Sequence, residues 1–256
     1  MTANHMTWII TRARHQATLW VDYFKRKNIN YELFPVLQIE SLYSVEKHTL
    51  GDQILSADYV IITSANCVHF APSDLIETLK AAQHKIVTMG QGTSQALRSQ
   101  NIQPFYTAAD GMTSERLLTL PFFMANAIAN KNILILSGAG GRDCLEKNLN
   151  ARQAVATKIA LYQRTPVGLP LEKRQLYFGE LSSQIPIFIM TSQEAIDALV
   201  SVVPDNHHLW LHSQYVITIS DRISNYAQTR GFKQVMSANS IQIEKIHLMG
   251  EGWING

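Results

Sequence analysis

The sequence predicts an α/β fold of parallel sheets in two similar halves, and three observations carry that expectation. Short apolar runs alternate with helical patterns along the whole chain, the layout of strand–helix–strand units. The runs end in turns rich in Thr, Ser, Gly and Arg, as loops leaving the carboxyl ends of parallel strands do. Three of those turns recur in the same order. Thr11 corresponds to Ser137, Thr63 to Thr191 and Gly90 to Ser220, at separations of about 126 to 130 residues, after which Ile102 falls on Phe232.

The elements follow in order. Trp8-Ile9-Ile10 reads as a buried strand ending in Thr11-Arg12-Ala13-Arg14. A helix to about Lys27 is expected to turn Leu19 and Tyr23 inward, with Trp20 and Phe24 beside them. Tyr31 to Pro35 is a second strand, and Val36 to Leu42 reads as an extended linker rather than core sheet, because Pro35 disfavours a central strand. Tyr59 to Ile62, Lys85 to Met89 and Phe105-Tyr106 are further strands, and Thr113 starts a helix with Glu115 in its first turn. After Pro166 the chain loosens again. A helix over Leu171 to Ser182 is expected, then strands at Ile187 to Met190, Val216 to Ile219 and Gln234 to Met236, and a last helix from Ser240 to Met249.

Composition narrows the functional classes. The 256 residues suffice for one large domain or two of about 120–130 residues. A charged fraction of 16% and a formal net charge of +2 are too balanced for nucleic acid or a membrane surface as the main partner. Cys67 and Cys144 form no C-x-x-C pair and suggest neither a disulfide framework nor a zinc site. Met1 to Arg14 lacks the apolar core of a signal peptide, and no apolar run is long enough for a membrane span, so the cytosol is the expected compartment.

The most informative stretch runs from Asn132 to Pro166. Ile133 to Leu136 is an apolar strand that passes at once into Ser137-Gly138-Ala139-Gly140-Gly141-Arg142, then a helical pattern, then Ile159-Ala160-Leu161. A glycine-rich turn entering a helix presents backbone N–H groups and partial positive charge to an anion. The anion is not a dinucleotide. Asp143 stands where the third glycine of the fingerprint belongs, and Lys158 to Thr165 supplies no acid for a ribose. No Gly-Lys-Ser or Gly-Lys-Thr occurs, which excludes a Walker A loop.

Donors gather at the other strand ends as well: Thr11, Arg12 and Arg14; Thr63, Ser64, Ala65 and Asn66; Gly90, Gln91, Gly92 and Thr93; Thr191, Ser192 and Gln193; Ser220 and Arg222. Such turns offer many hydrogen-bond donors and few groups that titrate near neutrality, which suits a ligand with several carboxylates or phosphates. Each hydroxyl taken singly reads most simply as a helix N-cap. No G-x-S-x-G elbow is present, and the nine histidines are scattered without metal-ligand spacing. Donors without a strong base or a metal point either to a non-catalytic binding protein for a small polyanion, or to a reaction whose reagents lie in the substrate.

The order of motifs resembles the uroporphyrinogen-III synthase family. The first half carries Thr11-Arg12, Phe34-Pro35, Ile61-Ile62-Thr63-Ser64-Ala65-Asn66 and Met89-Gly90-Gln91-Gly92-Thr93; the second carries Gly141-Arg142-Asp143-Cys144-Leu145, Leu149-Asn150-Ala151-Arg152, Leu161-Tyr162-Gln163-Arg164 and Met190-Thr191-Ser192. Two places depart from the pattern. The threonine of the family's second Gly-x-x-Thr turn is replaced by Ile223, leaving Ser220, Arg222 or Ser224 for any ligand role there, and Gln153 stands where a helix-ending glycine is usual.

The resemblance implies two α/β domains, residues 1–36 with 168–256 and residues 42–162, joined by a two-stranded linker at 37–41 and 163–167, with the active site in the cleft between them. It implies a cytoplasmic lyase, a monomer without metal or organic cofactor. Its reaction closes hydroxymethylbilane, handed over by hydroxymethylbilane synthase, to uroporphyrinogen III with loss of water and inversion of ring D. The substrate has eight carboxylates for the donor-rich strand ends, with Arg142 the charged member of the glycine turn. Tyr162 matches the family's tyrosine and is the candidate proton donor, since a phenol is a weak acid that is protonated near neutrality. The plainer reading of Tyr162 is a structural linker residue.

Overall fold

The computed structural model describes residues 6–43, 49–109, 113–141, 143–168 and 185–255. The expected helix over Leu171 to Ser182 lies outside the described residues, as does Arg142. The chain divides into two units, Met1–Gln38 with Thr165–Gly256, and Ile39–Arg164.

In chain order the strands are β1 (Met6–Ile10), β2 (Tyr31–Leu33), β3 (Leu37–Ser41), β4 (Tyr59–Ile62), β5 (Ile86–Thr88), β6 (Tyr106–Thr107), β7 (Asn132–Gly138), β8 (Val155–Pro166), β9 (Ile185–Met190), β10 (Tyr215–Thr218) and β11 (Gln234–Ser237). They form one sheet ordered β11-β10-β9-β1-β2 and another ordered β3-β8-β7-β4-β5-β6. Pairings within β11-β10-β9-β1-β2 and within β8-β7-β4-β5-β6 are parallel. Apart from β3 the two orders match strand for strand, with β9, β1 and β10 in the places of β4, β7 and β5.

The match extends to single hydrogen bonds. Ala108 N–H donates to Thr88 O at 2.9 Å and Ala238 N–H to Thr218 O at 2.8 Å. Ile102 N–H donates to Leu97 O and Phe232 N–H to Ala227 O, and both side chains are buried.

Strands buried on both faces explain the unbroken apolar runs. In the second unit Val60, Ile62, Leu134 and Leu136 enter one core cluster, while Ile61, Ile133 and Ile135 enter the other. In the first, Ile9, Phe188 and Val216 face one cluster, and Trp8, Ile10, Ile187, Ile189 and Ile217 the opposite one. This is the two-residue period of a strand covered by helices on both sides. Helices Thr49–Ser56 and Ser73–Ala81 place Leu50, Ile54, Leu75 and Leu79 in the cluster that holds Val60 and Ile62.

Three details correct or complete the sequence expectations. Helix Arg14–Arg26 buries Ala17, Trp20, Tyr23 and Phe24, while Leu19 is 79% exposed rather than inward, because at 100° per residue it falls about 100° off that face. The segment expected as a linker rather than sheet contains the strand β3, at the edge beside β8. Leu42 N–H donates to Leu161 O and Val167 N–H to Val36 O, an antiparallel progression, and Pro35 is tolerated because it lies between β2 and β3 and belongs to neither strand. Gln153 takes the left-handed conformation of a helix stop, with φ 65°, after helix Cys144–Ala151. The helix therefore ends where the family's glycine would end it, at the cost of placing a side chain in a disfavoured region.

Candidate functional site

The site lies at the carboxyl ends of β4, β7 and β8 in the second unit. β7 delivers Ser137 and Gly138, and its register with β8 shifts by one residue between them, so that Gly138 pairs with Tyr162. A bulge of this kind re-aims a side chain at the end of a strand. Here it turns the Tyr162 ring over Gly138, where an added Cβ would sit 2.6 Å from Cζ and 2.8 Å from Cε2 and Oη. Ala139 N–H donates to Tyr162 O at 2.8 Å and fixes the backbone on the other side.

Tyr162 is 2% exposed. Its Oη accepts a hydrogen bond from Arg164 Nη2 at 3.1 Å, and the Arg164 guanidinium lies 5.3 Å from the ring centroid. Residues 162 and 164 share a strand face by the two-residue period, which is how one strand supplies both phenol and cation.

A cavity of about 420 Å³ opens here. Thr63, Ser64, Ser137, Gly138, Gly141, Lys158, Tyr162 and Arg164 line it, with Met89, Ser114, Ala139, Leu145 and Glu146 among the remaining walls. Lys158 Nζ donates to Gly141 O at 2.5 Å and to Asp143 Oδ1 at 2.9 Å, tying β8 to the glycine turn. Cys67 lies behind Ser64 and is buried, which pushes its thiol up to about 12. It is therefore no nucleophile at neutral pH. Among the described residues no group of three His, Cys, Asp or Glu is placed to hold a metal ion, and no helix is long and apolar enough to cross a membrane.

The structure sorts the sequence candidates. Thr63, Ser64, Ser137, Gly138, Gly141 and Tyr162 meet at this cavity. Thr63 Oγ1 donates to Leu136 O, and Ser64 Oγ accepts from Asn66 N–H, so both hydroxyls are also turn-formers. Ala65 is half-buried in that turn and Asn66 is buried. Gly90, Gln91, Gly92 and Thr93 lie at the start of helix Gln91–Arg98, with Gln91 and Gly92 exposed and Thr93 buried. Gly140 is exposed with φ 72°, the turn position that needs a glycine.

The remaining candidates belong to the first unit. Thr11 is buried, and its Oγ1 donates to Ile189 O at 2.6 Å, so the hydroxyl joins β1 to β9. Arg12 lays its guanidinium 4.8 Å from the Trp20 ring centroid, with Nε buried without a hydrogen-bond partner, and burial lowers its pKa. Arg14 and Arg222 are exposed at the first turns of their helices. Ser192 caps helix Gln193–Val202 by accepting from Ala195 N–H at 3.1 Å, beside Thr191 and Gln193. Ser220 precedes helix Asp221–Thr229, and its carbonyl accepts from Thr218 Oγ1. Ser224 is buried against Thr218, 2.7 Å between hydroxyls, so it holds the turn from inside.

Lys158 and Arg164 were absent from the sequence candidates. Attention to strand-end turns passed over β8 itself; Tyr162 and Arg164, two residues apart, are the local signal of one strand face, whereas Lys158 lies before the register shift, which breaks the two-residue count between it and Tyr162.

Comparison with known proteins completes the description. The family model described as uroporphyrinogen-III synthase HemD matches residues 19–246. The chain is 27% identical over 198 residues to the uroporphyrinogen-III synthase of Escherichia coli K12, covering 75% of this chain and 78% of that protein. It is 27% identical over 214 residues to that of Salmonella typhimurium LT2, covering 81% and 84%. Among solved structures, uroporphyrinogen-III synthetase from Helicobacter pylori 26695 matches with a TM-score of 0.64 at 14% identity, over 97% of this chain and 99% of that one. A mutant uroporphyrinogen III synthase from the extremely thermophilic bacterium Thermus thermophilus gives 0.61 at 14% identity, over 98% and 99%. These two establish likeness of fold.

Proposed function

The chain belongs to the uroporphyrinogen-III synthase family and carries out that family's reaction, the cyclisation of hydroxymethylbilane to uroporphyrinogen III; within it, we propose that Tyr162 is the proton donor and that the strand ends around it hold substrate carboxylates. The terminal C–O bond breaks, the departing oxygen takes a proton and leaves as water, and the carbon left behind is an electrophilic azafulvenium. Ring D attacks it through its substituted α-carbon to give a spiro intermediate. The bond joining ring D to its neighbour then breaks and re-forms at the ring's other α-carbon, so ring D closes inverted. Restoring the aromatic pyrrole releases one proton, which balances the one given to water.

The observation that carries the assignment is the Tyr162–Arg164 pair at 3.1 Å on the wall of a donor-lined cavity. Because Arg164 donates to the phenol oxygen, the phenol's own hydrogen is left for the substrate. The guanidinium also stabilises the oxyanion that remains after transfer. Ser64, Ser137 and the turn at Gly138 to Gly141 surround the same volume and suit carboxylates. The donors of the first unit, Arg12, Arg14, Thr191, Ser192, Gln193, Ser220 and Arg222, are assigned to further carboxylates of the same substrate, and Arg142 and Thr93 to those nearest the second unit. Unaided closure leaves ring D uninverted, so the protein's task is to fix geometry and exclude the direct route.

The test is to supply hydroxymethylbilane to the purified chain and separate type I and type III uroporphyrins after oxidation. Product enriched in type III over an enzyme-free blank supports the reading; product no richer than the blank returns the chain to a non-catalytic polyanion binder. The same reading has the chain acting as a cytoplasmic monomer that receives its bilane from hydroxymethylbilane synthase, and sedimentation of the chain alone and mixed with that enzyme tests both parts.

A further inference from the structure

We propose that Lys158 is a substrate-carboxylate cation held in reserve by Asp143, which acts as an internal stand-in for the substrate's carboxylate. The proposal rests on the reading that this cavity binds an octacarboxylate. Lys158 lines the cavity with Tyr162 and Arg164, and its side chain is only 16% exposed. An ammonium on the wall of a cavity for a polyanion is a binding group unless its charge is already engaged. Here it is engaged, by Asp143 Oδ1 at 2.9 Å and by Gly141 O.

The engagement is of an exchangeable kind. Asp143 is 54% exposed, and ion pairs with an exposed partner contribute little to stability. Asp143 also occupies the N-cap position of helix Cys144–Ala151, where an aspartate ordinarily accepts from the helix N–H groups, yet it makes no side-chain capping bond. Its carboxylate is turned to Lys158 instead, and the hydrogen bond holds that carboxyl below the usual range. When a substrate carboxylate takes the ammonium, Asp143 has its capping site to return to. The exchange thus trades one charge-assisted bond for another and couples substrate arrival to the turn that follows Gly138. Glu146, whose Oε1 accepts from Lys158 N–H at 3.1 Å, keeps the strand in place while the side chain moves.

Two substitutions with opposite expected signs test this. Lys158→Met keeps the aliphatic stem and removes the charge; it raises KM for hydroxymethylbilane about tenfold, the scale of one charge-assisted bond, and blunts the salt dependence of KM. Asp143→Asn keeps a good N-cap residue but removes the competing charge; it lowers KM about two- to threefold. A merely structural pair would give weaker binding in both. Unchanged KM in Lys158→Met, or raised KM in Asp143→Asn, overturns the proposal. Neither result bears on Tyr162, whose substitution acts on kcat, so a failure here and a failure of the proton-donor reading are told apart by which parameter moves.

Discussion

Gly138 and Tyr162 are partners across β7 and β8, and the glycine is there because the tyrosine ring occupies the space its side chain would fill. Glycine within a strand marks close approach of another group, and here that group is the candidate proton donor itself. The glycine turn of this chain therefore does more than present N–H groups to an anion. Its first glycine seats the phenol, and its last carbonyl anchors Lys158.

Replacing Gly138 by alanine puts a methyl group inside 3 Å of the ring. The contact can be relieved only by tilting the phenol off Gly138, which displaces it from the hydrogen bond that Arg164 donates. Gly138→Ala is expected to cost about 1–3 kcal/mol of stability and to lower kcat at least tenfold, about 1.4 kcal/mol or more in the barrier. Denaturant unfolding and steady-state kinetics on the same preparation measure both. A variant with wild-type midpoint and kcat would show that the ring position is irrelevant.

Thr11 gives the opposite kind of prediction. Its hydroxyl is spent on Ile189 O, inside the sheet. Thr11→Val should lower stability by about 1 kcal/mol and leave the KM for hydroxymethylbilane unaltered. A raised KM with unaltered stability would return Thr11 to the binding site.

Much of the fold was legible because parallel strands buried on both faces are uninterrupted apolar runs, and the turns after them are short. The convergence of Thr63, Ser64, Ser137, Gly138, Gly141 and Tyr162 on one cavity follows from the rule that such turns share one edge of the sheet. Thr11 obeys the same rule, yet its hydroxyl partner is 178 residues away, and no local pattern reveals that. The bulge before Gly138 was equally hidden, since it depends on two strands meeting. Lys158 and Arg164 went unread for a different reason. β8 runs from Val155 to Pro166, whereas the apolar run that marks a strand is only Ile159 to Leu161, so the polar residues on either side of it looked like loop.

A pH dependence of stability follows from His247. It is 6% exposed, with ring centroids of Trp8, Tyr23 and Phe24 at 5.1, 5.7 and 5.9 Å. Nδ1 lies 3.1 Å from Tyr23 Oη, and Nε2 is 3.3 Å from Glu251. Burial pushes its pKa down, against the opposing pull of Glu251. A group that binds its proton more weakly when folded contributes stability that is full above the unfolded value of about 6.5 and is lost as pH falls through the folded value. The denaturation midpoint should therefore fall between about pH 7.5 and about pH 5.5, and His247→Gln should flatten the slope. His212, also lowered first by burial, retains its share. An identical slope in the variant would remove His247 from the account.

Tyr162 as proton donor remains the central claim, and Tyr162→Phe tests it most directly. The phenyl ring fits the same seat on Gly138 and removes only the oxygen that Arg164 holds. With saturating hydroxymethylbilane and separation of the product isomers, the account predicts kcat for the type III isomer reduced about 10²-fold, little change in KM, and product drifting to the type I isomer of spontaneous closure. Type III formed at the wild-type kcat would contradict it.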